Sequence, residues 1–347
     1  MKTEITIGSR TIGKGHPLFI IAEAGVTCNY DMKITKELID VVQGSGADAI
    51  KFIFWFPEEF MSDKAVTYSY KTVDGTNSEN MYEMLSKLKF SLDQWQELKA
   101  YADERGVILL STVNSPSGIK YGEAIGLEAY KLSSWDFNYL PLLRQIARLH
   151  KPILIDTGPV TTLDVAKVVA LMREEGNDQC VFLHCFHTNN YPQMNMFAIP
   201  YLETTFNCLA GYSAESTKDE MDIVAVALGA VVIEKRLTMS RSLPGHHHAL
   251  SKEPKEFEAY VAMMRNIQAA LGVKDLRPSD NDMEERKKWF RRIVANRDLP
   301  KGTKLTAEML EGKRPADGIS PEYLEYFVGR VTTRDLRYNE PLRWEDV

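Results

Sequence analysis

The chain has 347 residues, 44% of them hydrophobic and 26% charged, with a formal net charge of −6. That balance excludes an intrinsically disordered chain, and with no concentrated basic face it excludes a nucleic-acid partner. No apolar run approaches a membrane span, and the opening MKTEITIGSRTIGKGHPLF lacks the apolar core of a signal peptide, so a cytoplasmic protein without a membrane partner is expected.

In chain order, short runs rich in β-branched residues fall at 18–25, 49–55, 107–113, 129–134, 152–158, 181–186, 208–213 and 231–238. Between them lie amphipathic stretches at 32–44, 92–105, 139–149, 163–174 and 218–228, and another follows at 254–271, with apolar residues at three- and four-residue spacing. Continuous apolar strands alternating with helices predict a parallel sheet buried on both faces. Eight such units predict a closed (β/α)8 TIM barrel over 1–272. The polar, proline-containing stretch 273–288 reads as a linker. Residues 289–347 read as a small β-rich module, with strand-like runs at 293–295 and 328–331 and a short helix near 321–327. Cys28, Cys180, Cys185 and Cys208 lack zinc-ligand spacing and read as reduced thiols.

Polar residues recur where these strands end: Glu23, Lys51, Ser111 with Thr112, Lys131 with Ser134, Asp156 with Thr157, His184, Ser213 with Glu215, and Glu234 with Lys235. Strands turn polar wherever they emerge into loops, which accounts for any one of them. Lysines at two strand ends and a Glu-Lys pair at a third ask for more, because a buried charge is costly unless it is paired or used. Barrel enzymes assemble their sites from the C-terminal ends of different strands.

The motifs IIAEAG (20–25), GADAIKF (46–52), EAYKLSSWDFNYLPLL (128–143), ILIDTG (153–158), HCFHTNNYP (184–192) and GAVVIEKRLT (229–238) occur in this order. Together with the tail RRIVANRDLPKGTKLTAEML…KRPADGISPEYL, they resemble the sialic acid (N-acetylneuraminate) synthase family, which includes spore-coat polysaccharide synthesis relatives. The tail is similar to that family's antifreeze-like (SAF) domain. The resemblance implies a condensation of phosphoenolpyruvate with the aldehyde of an N-acyl hexosamine, giving a nonulosonic α-keto acid and phosphate, with a divalent metal (Mn2+ or Mg2+) polarising the aldehyde.

By this resemblance Lys51, Thr112, Lys131, Ser134, Asn189 and Ser213 match donor-binding positions. Glu23 and Glu234 match catalytic or substrate-binding carboxylates, with Asp136 and Lys235 as further catalytic candidates. His184 matches a metal ligand, and Glu215 stands where a second metal histidine is expected. His248 keeps a substrate-loop position. Arg314 matches an arginine that one subunit presents to the other, which implies a domain-exchanged homodimer. The chain departs from the family at several of these places, with Thr27 and Cys28 for Asn-His, Ile53 for Gln, Asp156 for Ser, Glu215 for His, Arg236 for His, and His246 and His247 for Pro-Asp. A carboxylate at Asp156 brings like charge toward a phosphate, and Arg236 offers a new cation against it.

Other readings stay open on the residues alone. Lys131 has the setting of a Schiff-base nucleophile in an aldolase or lyase using another donor. The clustered departures also fit a non-catalytic homologue that binds a sugar or a partner. The run Phe54–Trp55–Phe56 reads equally as packing and as a stacking platform for a sugar. Three adjacent histidines on a loop point in different directions and give a weak metal signal.

Overall fold

The computed structural model describes the whole chain except residues 214–216. The chain forms two units, Met1–Gly272 and Val273–Val347. The first opens with an antiparallel hairpin of β1 (Glu4–Ile7) and β2 (Arg10–Gly13). A closed parallel barrel follows, made of β3 (Phe19–Glu23), β4 (Ala49–Ile53), β7 (Ile108–Thr112), β8 (Tyr130–Leu132), β9 (Ile153–Asp156), β10 (Cys180–His184), β11 (Leu209–Ser213) and β12 (Val232–Arg236). The barrel strands neighbour one another in sequence order, and β12 closes onto β3. Between β4 and β7 a second hairpin intervenes, β5 (Thr67–Thr72) with β6 (Gly75–Asn80).

Local chemistry sets these elements. Asp31 caps the helix Met32–Ser45 by accepting from the backbone of Lys33 and Ile34, and Gly46 ends it at φ +75°. Capping boxes open the helices Leu92–Glu104 (Ser91 with Gln94) and Thr162–Glu174 (Thr161 with Asp164). The strands are buried on both faces, and their two-residue period divides the residues between two cores. Ile20, Ala22, Ile50, Phe52, Tyr130, Ile155, Phe182 and Ile233 pack outward with the helices. Phe19, Ile21, Ala49, Leu110, Ala129, Leu154, Leu183 and Val232 pack inside the barrel. Ile5, Ile7 and Ile12 of the first hairpin join that interior cluster. This hairpin, which the sequence reading passed over, plugs the N-terminal end of the barrel.

Phe54 is buried against Trp95 and Tyr121, while Phe56 packs edge-on to Tyr121 and Trp55 lies beside Phe60. The four cysteines form no disulfide and are buried, and burial pushes the Cys28 thiol up to about 12. No described helix is long and apolar enough to cross a membrane.

The second unit pairs β13 (Arg292–Ala295) with β14 (Leu310–Lys313) around a core that includes Ile293, Leu299, Leu305, Phe327 and Leu336. Residues 328–331 contribute a single bridge, Lys304 to Val331, in place of the predicted strand. A helix, Asp280–Trp289, occupies part of the stretch read as linker. Its signals were present: the Ser279–Asp282 capping box starts it, and Arg286, Lys287 and Lys288 fill its last turn.

Candidate active site

The alternation that puts Phe19 and Ile21 inside the barrel also puts Glu23 there, one step nearer the mouth. The same step along the other strands turns Lys51, Thr112, Lys131, Asp156, Ser213, Glu234 and Arg236 inward. Register aligns them: Arg236 pairs with Glu23 and Glu23 with Lys51, while Thr112 pairs with Lys131 and Ser213 with Glu234. The barrel interior is therefore apolar toward its N-terminal end and ionic at its mouth.

Lys131 Nζ lies 2.8 Å from both Asp156 Oδ1 and Glu234 Oε2. Lys51 Nζ lies 3.5 Å from Glu23 Oε1 and from Glu234 Oε1, and donates to Thr112 Oγ1 at 3.2 Å. Ser213 Oγ approaches Glu234 Oε1 at 3.5 Å. The backbone N–H of Gly25 donates to Glu23 Oε1 at 2.8 Å. A Cβ at Gly25 would lie 2.5–2.6 Å from Ile53 and from Glu23, so only glycine lets that turn close over the carboxylate. Glu23 Oε2 is buried without a hydrogen bond and faces Arg236 Nε at 3.6 Å.

These contacts decide the charges. Burial would lower the Lys131 pKa, but Asp156 and Glu234 reverse that and hold the ammonium above its ordinary value. Burial would raise Glu234, but Lys131 and Lys51 hold it below the usual carboxylate range. Asp156 is the exception: burial outweighs Lys131 and, with Glu234 adding like charge, pushes its carboxyl up to about 6. Two carboxylates share Lys131, and the proton goes to the one with less cationic company.

The other candidates lie apart from this cluster. Ser134 and Asp136 form a single turn after β8, where burial pushes Asp136 up to about 6. Gly158, at φ +52°, lets β9 exit against Ser134, since a Cβ there would lie 2.4 Å from Ser134 Cβ. Asn189 is exposed on the loop after β10.

Strand parity turns two of the candidates away from the cluster. His184 follows Cys180 and Phe182 on the outward face of β10; its Nε2–H donates to the Met194 carbonyl at 2.8 Å, and its ring lies near Phe186 and Tyr212. It is turned from the cluster that a metal ligand would have to join, and burial lowers its pKa. Lys235 likewise faces outward between the inward Glu234 and Arg236. Its Nζ lies 2.9 Å from Asp222 and 3.2 Å from Asp219, and it donates to the Lys218 carbonyl at 2.6 Å. This is a buried structural pair. Lys235→Met is expected to cost about 3–5 kcal/mol by stranding Asp222, read as a lower urea midpoint, and adding Asp222→Leu should recover part of the loss. Glu215 falls outside the described residues.

The three histidines diverge. His246 packs edge-on to Tyr68 and against Tyr70 of the β5–β6 hairpin. His248 is buried and bonded to Thr238 Oγ1 at 2.7 Å and Asn29 Oδ1 at 3.1 Å, so its predicted substrate position is committed to the protein. His247 sits at φ +72°: burial, then Arg236, with His246 and Lys51, holds its imidazole neutral, and Arg236 acts in the same sense on His246 after burial. Nothing in the sequence distinguished His247 from its neighbours. Arg314, in the second unit, is exposed and donates through Nε to the Trp289 carbonyl at 2.6 Å.

A closed parallel barrel whose ionisable side chains converge at the strands' C-terminal ends has the site architecture of a barrel enzyme. The NeuB family profile matches residues 38–275, and the SAF domain profile matches 290–347. An uncharacterised protein of Methanocaldococcus jannaschii is 33% identical over 99% of this chain and 98% of its own length. The N,N'-diacetyllegionaminic acid synthase of Campylobacter jejuni is 32% identical over 93% of this chain and 98% of its own length. Among solved structures, N-acetylneuraminic acid synthetase from Leptospira borgpetersenii superposes with a TM-score of 0.72 at 27% identity, covering 82% of this chain and 95% of that one. The chain belongs to the NeuB family, the sialic acid synthases, and ends in a SAF domain.

Proposed function

We propose that this protein condenses phosphoenolpyruvate with the open-chain aldehyde of an N-acylated amino sugar, forming a nonulosonic α-keto acid and releasing phosphate. The observation that carries the reading is the buried set Lys51, Lys131, Glu23 and Glu234 at the barrel mouth, which combines fixed cations for a multiply charged donor with carboxylates for proton transfer. In this role Lys51 and Lys131, with Thr112 and Ser213, hold the donor's carboxylate and phosphate. Glu23, whose Oε2 makes no hydrogen bond, takes the proton of the water that attacks C2. Glu234 keeps both lysines charged and aimed.

The divalent metal implied by the family resemblance does not fit the described residues. No three His, Cys, Asp or Glu side chains among them converge as ligands, His184 is turned outward, and the described inward carboxylates Glu23, Asp156 and Glu234 each already face a lysine or arginine. No step here is assigned to a metal.

Asp156 fits a phosphate donor in its protonated form. Its pKa is raised, so the folded protein holds this proton more tightly than the unfolded chain does. The resulting stability is present below the ordinary carboxylate range and is lost as pH rises through about 6. Donor binding should follow the same sign: the donor KM is expected to rise with pH above about 6, by up to about tenfold per unit. Asp156→Ser should flatten that profile, and a KM independent of pH in the parent protein would remove Asp156 from the donor site.

The reading is tested by phosphate release from phosphoenolpyruvate with N-acetylmannosamine, its 6-phosphate and a set of diacetamido hexoses. Release that requires one of these sugars is the expected result. Silence across the panel in folded protein would overturn it. We further propose a cytoplasmic homodimer in which Arg314 of one subunit serves the partner's site. Mixing inactive Arg314→Ala and Lys131→Ala chains should then restore part of the activity.

A further inference from the structure

We propose that Arg236 takes the place of a divalent metal in this barrel, its guanidinium meeting the carbonyl oxygen of the acceptor aldehyde and holding the negative charge that builds there. The inference rests on the condensation reading above.

Three observations carry it. Arg236 is turned inward by the parity of β12 and shares a register layer with Glu23 and Lys51, so a permanent positive charge stands in the ring of reactive groups. The inward carboxylates are matched by the chain's own cations: Glu23 by Lys51 and Arg236, Asp156 by Lys131, and Glu234 by Lys131 and Lys51. A dication seated among them would face three fixed positive charges at short range, where the low-dielectric interior makes repulsion costly. The imidazoles offer no alternative. His246 and His248 are committed to Tyr68, Tyr70, Thr238 and Asn29; His247, neutral through burial and then Arg236, keeps an unbonded Nδ1, but among the described residues no further ligands converge beside it.

A guanidinium suits this task. It cannot be deprotonated at working pH and carries five N–H donors in a rigid fork, so facing Glu23 is compatible with contacting a substrate oxygen. In the step, the C2–C3 π pair of phosphoenolpyruvate forms the new bond from C3 to the aldehyde carbon. The carbonyl π pair moves onto oxygen, where Arg236 stabilises it until a solvent proton makes it a hydroxyl. Water adds to C2 and gives a proton to Glu23. The tetrahedral carbon then expels inorganic phosphate as its hydroxyl becomes the ketone, the hydroxyl proton passing to the departing phosphate and Glu23 returning its proton to solvent. Phosphoenolpyruvate, aldehyde and water thus become keto acid and phosphate, with no redox change.

The test compares phosphate release by the full chain in EDTA and in Mn2+, with calorimetric Mn2+ titration of the same protein. The expected results are a rate unchanged by EDTA within about twofold and no stoichiometric Mn2+ binding. Arg236→Ala should lower kcat about 100- to 1000-fold, as loss of one preorganised charge-stabilising donor does, while leaving the donor KM near its parent value. Added guanidinium ion should restore part of that rate. Activity that vanishes in EDTA and returns with Mn2+ would overturn the proposal, as would an Arg236→Ala variant of parental kcat. If no phosphate is released under either condition, the condensation reading fails, and the titration still decides this proposal: stoichiometric Mn2+ binding lost in Glu23→Gln would refute it.

Discussion

Replacing Lys131 with alanine is expected to abolish phosphate release and to cost about 3–5 kcal/mol of stability, the penalty for stranding partners of a buried ion pair. Lys131 is fully buried, and its ammonium lies 2.8 Å from two carboxylates that arrive on different strands. Without it, Asp156 and Glu234 confront each other in the barrel interior. Both pKa values should climb, and one carboxyl should stay protonated near neutral pH. The stability loss should therefore shrink as pH falls, because protonation relieves the repulsion. Urea denaturation at pH 5 and pH 8 reads this directly. Equal losses at both pH values would mean that packing, and not charge, is what Lys131 supplies. The triple variant Lys131→Met, Asp156→Leu, Glu234→Leu separates the two roles: it should recover much of the stability and none of the turnover.

Glu234→Gln should lower kcat by about 100- to 10,000-fold, the range associated with losing a positioned proton-transfer or charge-organising group. The amide nearly matches the carboxylate in shape, so the barrel should fold with a loss of only about 1–3 kcal/mol. The charge is what changes. Among the described residues Glu234 is the one carboxylate that faces both lysines, through Oε2 to Lys131 and Oε1 to Lys51. Its removal leaves three inward cations against Glu23 and Asp156, so Asp156 should ionise at lower pH than in the parent. A shift of the donor KM–pH profile toward acid, alongside the fall in kcat, is the signature of that electrostatic role. A lower thermal midpoint with unchanged kcat would mark Glu234 as structural only.

The barrel was legible because its signal repeats. Seven of the eight apolar runs contain a barrel strand whole and the run at 181–186 misses only Cys180 of β10, and alternation with amphipathic helices leaves few other architectures. The ionic residues at the strand ends could be found individually, but the sequence does not say which way each one faces. That is why His184 and Lys235 were read with the site while the structure turns both outward. One residue of offset reverses a strand's faces, and the apolar residues flanking these two occur on both faces of a doubly buried strand. Counting back from Phe182 to Cys180 on the helix side would have settled His184 once the inward set was known. The two hairpins escaped for a different reason. Thr67–Asn80 carries only Tyr68 and Tyr70 as large side chains on one face, with β6 polar throughout, and Glu4–Gly13 is too short for periodicity to stand out. The role of Arg236 was legible only as a departure, because its partner Glu23 lies 213 positions earlier in sequence.

The β1–β2 hairpin leaves the reaction chamber with a single doorway. Ile5, Ile7 and Ile12 pack into the interior apolar cluster at the far end of the barrel, so among the described residues the charged mouth is the expected route for substrates. A blind-ended chamber imposes a queue. Whichever substrate binds deeper must enter first, and its product fragment must leave last. On the proposed reading, in which Lys51 and Lys131 hold the phosphate-bearing donor inside the barrel, the donor is expected to arrive first. Inorganic phosphate should then compete with that donor but not with the sugar, so the architecture of the dead end becomes readable in the pattern of product inhibition.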